Sequence, residues 1–190
     1  MNQQAKLYKP LLGVGIATAL ILLAPLVAMQ FSPEVRWSAA DFAIMGALVY
    51  GAGLACVLLL RKAPNRLYRI AAGLAAGATF LMIWANLAVG LIGSGANIAN
   101  LLYAGVVLTI VAGSALARFR AAGMARTMYA AIAALVLLVA IAFATGMQRL
   151  PGSSAAELWA VNGFFALLYG IAAVLFRQSA HAAARAGRTS

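Results

Sequence analysis

The sequence predicts an all-α integral membrane protein, a compact bundle of six transmembrane helices. Hydrophobic residues make up 65% of its 190 residues and charged residues only 9%, whereas a soluble domain carries about 25% charged residues. Six apolar runs are each long enough to cross a hydrocarbon core, for which a helix needs about 20 residues. Lys and Arg fall between these runs, so the net charge of +11 indicates membrane topology rather than nucleic acid as a partner.

The six predicted spans follow one another with short breaks of turn-forming residues. They cover Leu11–Gln30, Asp41–Leu60, Tyr68–Ile92, Ala99–Ala117, Met128–Met147 and Ala155–Phe176. The first run follows two lysines, as in a signal peptide, but it is as long as a full span and is interpreted as the first helix. We therefore predict one transmembrane domain over residues 1–176 and a basic cytoplasmic tail over residues 177–190.

The basic residues divide unequally between the two predicted sides of the membrane. Six spans place twelve of the fourteen Lys and Arg residues on the side of the chain ends, and only Arg36 and Arg149 on the other side. The three acidic residues, and the three tryptophans as an aromatic belt, belong to that other side. Because positive loops stay in the cytoplasm, both termini are expected there.

The cytoplasmic rim is predicted to contact membrane lipids, including anionic ones. Its lipid-contacting residues are Arg61, Lys62, Arg66, Arg69, Arg118, Arg120, Arg126 and Arg177. Each basic residue near an anionic leaflet contributes about 1 kcal/mol of binding. Docking of an acidic soluble protein is the alternative use of this charge, and a homo-oligomer or a larger membrane complex stays open as an assembly.

The second and sixth predicted helices begin and end alike. "SAADF" opens the second and "SAAEL" opens the sixth, and both start as capping boxes, in which a serine and an acid three residues later satisfy free backbone N–H groups. The equivalent positions are Ser38 and Ser154, Asp41 and Glu157, and Arg61 and Arg177. Three tandem helical hairpins would explain the similarity, and so would convergence on good helix ends.

Small residues are expected to bring the helices together, since lipid gives no hydrophobic force between them. Gly73 and Gly77 form a GxxxG pattern on the third helix, and Ala47, Gly51 and Ala55 form a small stripe on the second. The sequence therefore predicts close helix contacts and little interior void.

The candidate binding site is a group of polar residues at the outer ends of the spans. Its members are Asn86, Asn97, Asn100, Asn162, Asp41 and Glu157, with Trp84 above them. They either bond helices together and cap them, or form a shallow site for a small polar solute or a lipid headgroup. Asn86 is the strongest member of such a site, because a buried amide needs partners or a ligand.

Other chemistry has little support in this composition. With one His, one Cys and three acidic residues, neither a metal site nor a cofactor is expected, and no catalytic residues are predicted. Proton-coupled carriers use ionisable groups inside the membrane, and the predicted spans carry none near their middle. Thr and Ser in the spans are expected to bond to their own helices.

The stretches "IWANLAVGLIGSGANIANLLYAGV" and "ARFRAAGMAR" resemble a widespread family of small bacterial inner-membrane proteins of unassigned function. The resemblance runs from about Leu12 to Phe176 and implies six helices in a bacterial inner membrane, but no substrate. Two functions follow as hypotheses. The chain binds or transports a small polar solute or lipid headgroup at the outer cluster, or it is a non-catalytic accessory subunit that packs against itself or a larger membrane complex.

Overall fold

The computed structural model describes residues 5–31, 36–61, 63–93 and 97–186. These residues form six helices: α1 (Ala5–Phe31), α2 (Ala39–Arg61), α3 (Arg66–Ala88), α4 (Leu102–Leu116), α5 (Ala121–Ala144) and α6 (Ala155–Ala186). A 3₁₀ turn, Ile98–Leu101, leads into α4, and a second, Met147–Arg149, follows α5. Each helix, with α4 extended by its turn, is long and apolar enough to cross a membrane, which confirms the all-α class and the six spans.

Backbone contacts divide the chain into two compact units, Met1–Arg61 and Lys62–Ser190. Each is described by itself, and the single domain over residues 1–176 stays a prediction. In the first unit α1 packs against α2. A β-carbon at Gly53 would lie 2.5 Å from Val14 Cγ1, and one at Gly46 would lie 3.3 Å from Leu22 Cδ1. These two glycines therefore bring the helices together, whereas the predicted stripe of Ala47, Gly51 and Ala55 is exposed within this unit.

In the second unit the helices pack in the order α4, α5, α6 and α3. The helix α6 contacts both α3 and α5 extensively, whereas α3 and α4 touch only slightly. This pairing differs from a repeat of packed hairpins, which would join α3 to α4. The face of α3 that is buried consists mainly of alanines, among them Ala71, Ala75 and Ala78. Small residues thus mediate the packing of α3 in this unit, but they are alanines and not the predicted glycines.

The GxxxG glycines of α3 are exposed within the second unit, and a β-carbon at Gly73 or Gly77 would meet no atom within 4 Å. The close approaches are at Gly113 and Gly123 instead. A β-carbon at Gly113 would lie 2.7 Å from Thr127 Cγ2, and one at Gly123 would lie 2.6 Å from Ala117 Cβ. Glycine is therefore required at both positions where α4 meets α5, because a β-carbon there would clash with a packed side chain.

Polar residues set the helix ends. The Asp41 carboxylate accepts from the Ser38 N–H at 2.7 Å while the Ser38 hydroxyl accepts from the Asp41 N–H at 3.3 Å, a complete capping box. At α6 the Ser154 hydroxyl accepts from the Glu157 N–H at 3.1 Å and faces the Glu157 carboxylate at 3.2 Å. The far end of α6 continues to Ala186, so the predicted basic tail begins as helix.

Candidate functional site

The connection between α3 and α4 is built around the side chain of Asn100. Its Oδ1 accepts from the Leu91 N–H at 2.8 Å and from the Ile92 N–H at 2.9 Å, and its Nδ2 donates to the Ile92 carbonyl oxygen at 3.2 Å. Only 8% of Asn100 is exposed. Because its side chain replaces three backbone partners, Asn100 primarily shapes the turn.

Asn97 supports the same turn. Its Oδ1 accepts from the Ala99 N–H at 3.0 Å and so caps the 3₁₀ turn. Its Nδ2 lies 2.8 Å from where a β-carbon of Gly93 would be, and Gly93 has a φ of +67°. Glycine adopts this conformation without strain, so the sequence prediction of a tight, glycine-dependent turn at Gly93 is confirmed. Gly95, its predicted partner, lies outside the described residues.

Asn86 is the one predicted site residue with a buried atom left unpaired. Its Nδ2 donates to the Asn100 carbonyl oxygen at 3.1 Å. Since a carbonyl oxygen only accepts, this bond fixes the orientation of the amide. The Asn86 Oδ1 is buried and has no hydrogen-bond partner within the described part of the chain.

A second unpaired acceptor lies in the neighbouring loop. Gln148, in the 3₁₀ turn after α5, has a buried Oε1 that no described group satisfies. This loop packs against the α3–α4 connection, since a β-carbon at Gly93 would lie 3.5 Å from Leu150 Cβ. Sequence reasoning missed Gln148 because a loop glutamine normally faces water.

Asn162 is satisfied by protein groups. It is 3% exposed, its Nδ2 donates to the Leu158 carbonyl oxygen at 2.8 Å, and its Oδ1 accepts from the Tyr103 hydroxyl at 3.2 Å. The bond ties α6 to α4, which matches the prediction of interhelical hydrogen bonding. Tyr103 was missed by sequence reasoning, although it lies one turn beyond Asn100.

The remaining members of the predicted cluster lie apart from these pairs. Asp41 belongs to the first unit, where it closes the cap of α2. Glu157 is exposed and bonded to Ser154, and Trp84 is 43% exposed near the end of α3. The described hydrogen bonds therefore form two separate pairs, Asn86 with Asn100 and Asn162 with Tyr103. We call the end of the second unit that holds these pairs the asparagine end.

The opposite end of the second unit, which we call the basic end, holds most of its positive charge. The described basic residues there are Arg66, Arg69, Arg118, Arg120, Arg126, Arg177 and Arg185, whereas Arg149 lies at the asparagine end. A cleft of about 360 Å³ opens at the basic end. It is lined by Pro64, Arg118, Phe119, Arg120, Ala121, Ala122, Ala180 and Ala183. None of these is a predicted binding asparagine. Of the predicted rim residues, Arg61 lies in the first unit and Lys62 outside the described residues.

Among the described residues, no group of three or more His, Cys, Asp or Glu side chains is placed to hold a metal ion.

The threonines in the spans bond to their own helices, as expected. Each of four hydroxyls donates to the carbonyl oxygen four residues earlier: Thr18, Thr79, Thr109 and Thr127.

No known protein family, curated protein or solved structure matches this chain. The resemblance to a family of small bacterial inner-membrane proteins therefore stays a prediction.

Proposed function

We propose that the asparagine end binds a small solute or lipid headgroup that donates hydrogen bonds. The observation that carries the proposal is the buried, unpaired Asn86 Oδ1. A buried acceptor without a partner costs about 1–3 kcal/mol, and a ligand hydroxyl or ammonium group would remove that cost. The buried Oε1 of Gln148, in the loop that packs beside this turn, offers a second acceptor of the same kind.

The chemistry of these two atoms limits the ligand. Both are neutral amide oxygens, so they favour hydroxyl, amine or ammonium donors and repel phosphate and carboxylate. Seven of the eight described arginines of this unit lie across the length of the helices from them, and the eighth, Arg149, directly follows Gln148. Because both unpaired atoms are acceptors, a polyol or an amino alcohol, free or as a lipid headgroup, fits them better than an anion.

The charges of the second unit support an outward-facing asparagine end. Seven of its eight described arginines lie at the basic end, and only Arg149 lies at the asparagine end. Positive ends face the cytoplasm, and in a bacterial inner membrane the asparagine end would then face outward. Cysteines introduced one at a time into a C56A background, as S153C and A183C, and labelled with a membrane-impermeant maleimide in intact cells, test this orientation. We expect labelling at Ser153 alone, and labelling at Ala183 alone would reverse the assignment.

The experiment on the site uses the purified full chain in detergent with glycerol, ethanolamine and glucose as probes. A ligand at 100 times its Kd stabilises the folded state by about 2.7 kcal/mol, which thermal unfolding detects. We expect at least one probe to stabilise the wild type and N86L to lose that response. The control is T109V, which removes a hydroxyl bonded only within α4 and should respond as the wild type does. An N86L variant that responds fully would refute the site, and so would a wild type that responds to none of the probes.

A second candidate, an accessory subunit that packs against another copy, is favoured by the exposed Gly73 and Gly77 on α3. Small residues let transmembrane helices approach closely. We expect G77L to shift an oligomer to monomer in size-exclusion chromatography with light scattering. Gly163 on α6 is also exposed with open space around it, so G163L is the matched control. If G77L and G163L have the same effect on the oligomeric state, this face of α3 is not the interface between copies.

A further inference from the structure

The cleft at the basic end is shaped by an unusual turn between α4 and α5. Arg118 and Phe119 both adopt left-handed backbone conformations, with φ of 48° and 58°, which L-residues other than glycine rarely adopt. The turn is fixed by a bond from the Phe119 N–H to the Ser114 carbonyl oxygen at 3.2 Å. It is fixed again from α3, since the Tyr68 hydroxyl donates to the Phe119 carbonyl oxygen at 2.6 Å. The backbone that carries the two arginines of the cleft is therefore fixed by these two hydrogen bonds.

The positive charge of the cleft has no acidic partner nearby in sequence or along α6. Glu157 is the only acidic side chain among residues 62–190. It lies 23 residues before Ala180 of the cleft lining, which is about 35 Å along a helix. Within the described part of the second unit, an anion bound between Arg118 and Arg120 would therefore meet two cations and no competing carboxylate side chain.

Backbone donors accompany the arginines. The helix α5 begins in the cleft wall, and its N-cap residue, Arg120, makes no side-chain hydrogen bond to the free N–H groups there. Guanidinium groups together with free backbone N–H groups are groups that proteins use to hold phosphate.

The geometry points to a binding cleft for a phosphate group, formed by Arg118, Arg120 and the start of α5, with Ala180 and Ala183 of α6 in its wall. The phosphate is carried either by an anionic lipid headgroup or by a free phosphate ester. The volume of about 360 Å³ falls within the range of about 300–1,000 Å³ that small-molecule sites occupy. The alanines and Pro64 of the lining give an apolar wall for the glycerol part of a headgroup. The cleft is independent of the proposed site at the asparagine end.

The test measures binding to the purified full chain in neutral detergent by native mass spectrometry. The probes are dioctanoyl phosphatidic acid, dioctanoyl phosphatidylglycerol, dioctanoylglycerol without phosphate, and inorganic phosphate. We expect saturable binding of at least one phosphate-bearing probe and none of dioctanoylglycerol. Binding of the two lipids alone identifies a headgroup as the ligand, whereas binding of inorganic phosphate as well identifies a free phosphate ester. Equal binding of dioctanoylglycerol would overturn the proposal, as would binding of no probe.

Two variants separate the cleft from general attraction to positive charge. R118G removes one guanidinium without stressing the turn, because glycine adopts a φ of 48° freely, and R120Q removes the other. The double variant should weaken binding of the phosphate-bearing probe at least about tenfold, the size of one charge-assisted hydrogen bond. The control R66Q/R69Q removes two exposed charges at the same end that do not line the cleft, and should change binding less than about twofold. Equal weakening by both pairs would refute a defined cleft.

Discussion

The Asn100 side chain is expected to be the largest single polar contribution to the stability of the asparagine end. Replacing it by alanine leaves the Ile92 N–H and carbonyl oxygen, both in buried hydrogen bonds, without their partner. Each buried group left unpaired costs about 1–3 kcal/mol, so N100A should lower the free energy of unfolding by about 2–6 kcal/mol. The Leu91 N–H is only part-buried and is expected to find water.

The measurement is reversible unfolding of the full chain in mixed micelles, with N97A as the matched control. The Asn97 side chain accepts from the Ala99 N–H at the start of a short turn, and loss of such a cap costs about 0.5–2 kcal/mol. N100D keeps an acceptor for both N–H groups and should fall between N97A and N100A. If N100A proves no more costly than N97A, the turn does not depend on these buried bonds and the reasoning fails.

Two further predictions concern helix contacts in the second unit. A double-mutant cycle with Y103F and N162L should give a coupling energy of about 0.6 kcal/mol, the average for hydrogen bonds between transmembrane helices, and a coupling of zero would show that this bond adds nothing. G113A should destabilise the protein by about 1–3 kcal/mol through overpacking, since its new β-carbon would lie 2.7 Å from Thr127 Cγ2. The new β-carbon of G73A, by contrast, meets open space. G73A should raise the free energy of unfolding by about 0.5–1 kcal/mol, because alanine loses less conformational entropy than glycine on folding. The same unfolding assay compares the two variants.

Length and hydropathy were enough to predict the helices, because each apolar run has about the 20 residues, or more, that a helix needs to cross a hydrocarbon core. The sixth span was predicted to end at Phe176 and to be followed by a basic tail, and α6 continues as helix into that tail as far as Ala186. The stretch after Phe176 is rich in alanine and arginine, both strong helix formers, which accounts for the continuation.

Pairing between helices could not be read from single-helix patterns. A GxxxG motif predicts a close contact but not its partner, and within the second unit Gly73 and Gly77 face away while alanines pack. The hydroxyl of Tyr103 meets Asn162 across 59 positions of sequence, which no local pattern encodes.

The cleft at the basic end was not predictable either. Its left-handed turn at Arg118 and Phe119 lacks the glycine that normally signals such a turn.

At the asparagine end, by contrast, the sequence contained the relevant residues but not their roles. The spacing of glycine and asparagine between the third and fourth spans predicted a tight turn, and Gly93, Asn97 and Asn100 form one. Whether an asparagine binds protein or ligand depends on which of its two polar ends finds a partner. That depends on distances across the fold, which among the described asparagines leave Asn86 with an unpaired buried oxygen.

Deeper in the second unit, the bond between Thr79 and Tyr169 has a direction that stability measurements can determine. Their oxygens lie 3.1 Å apart, and the single Thr79 hydroxyl proton already points to the Ala75 carbonyl oxygen at 2.8 Å. Tyr169 must therefore donate and Thr79 accept. T79V leaves the fully buried Tyr169 hydroxyl without an acceptor, at a cost of about 1–3 kcal/mol. Y169F leaves only a spare lone pair on Thr79 and should cost about 0.6 kcal/mol. If Y169F destabilises more than T79V in the unfolding assay, the donor assignment is wrong.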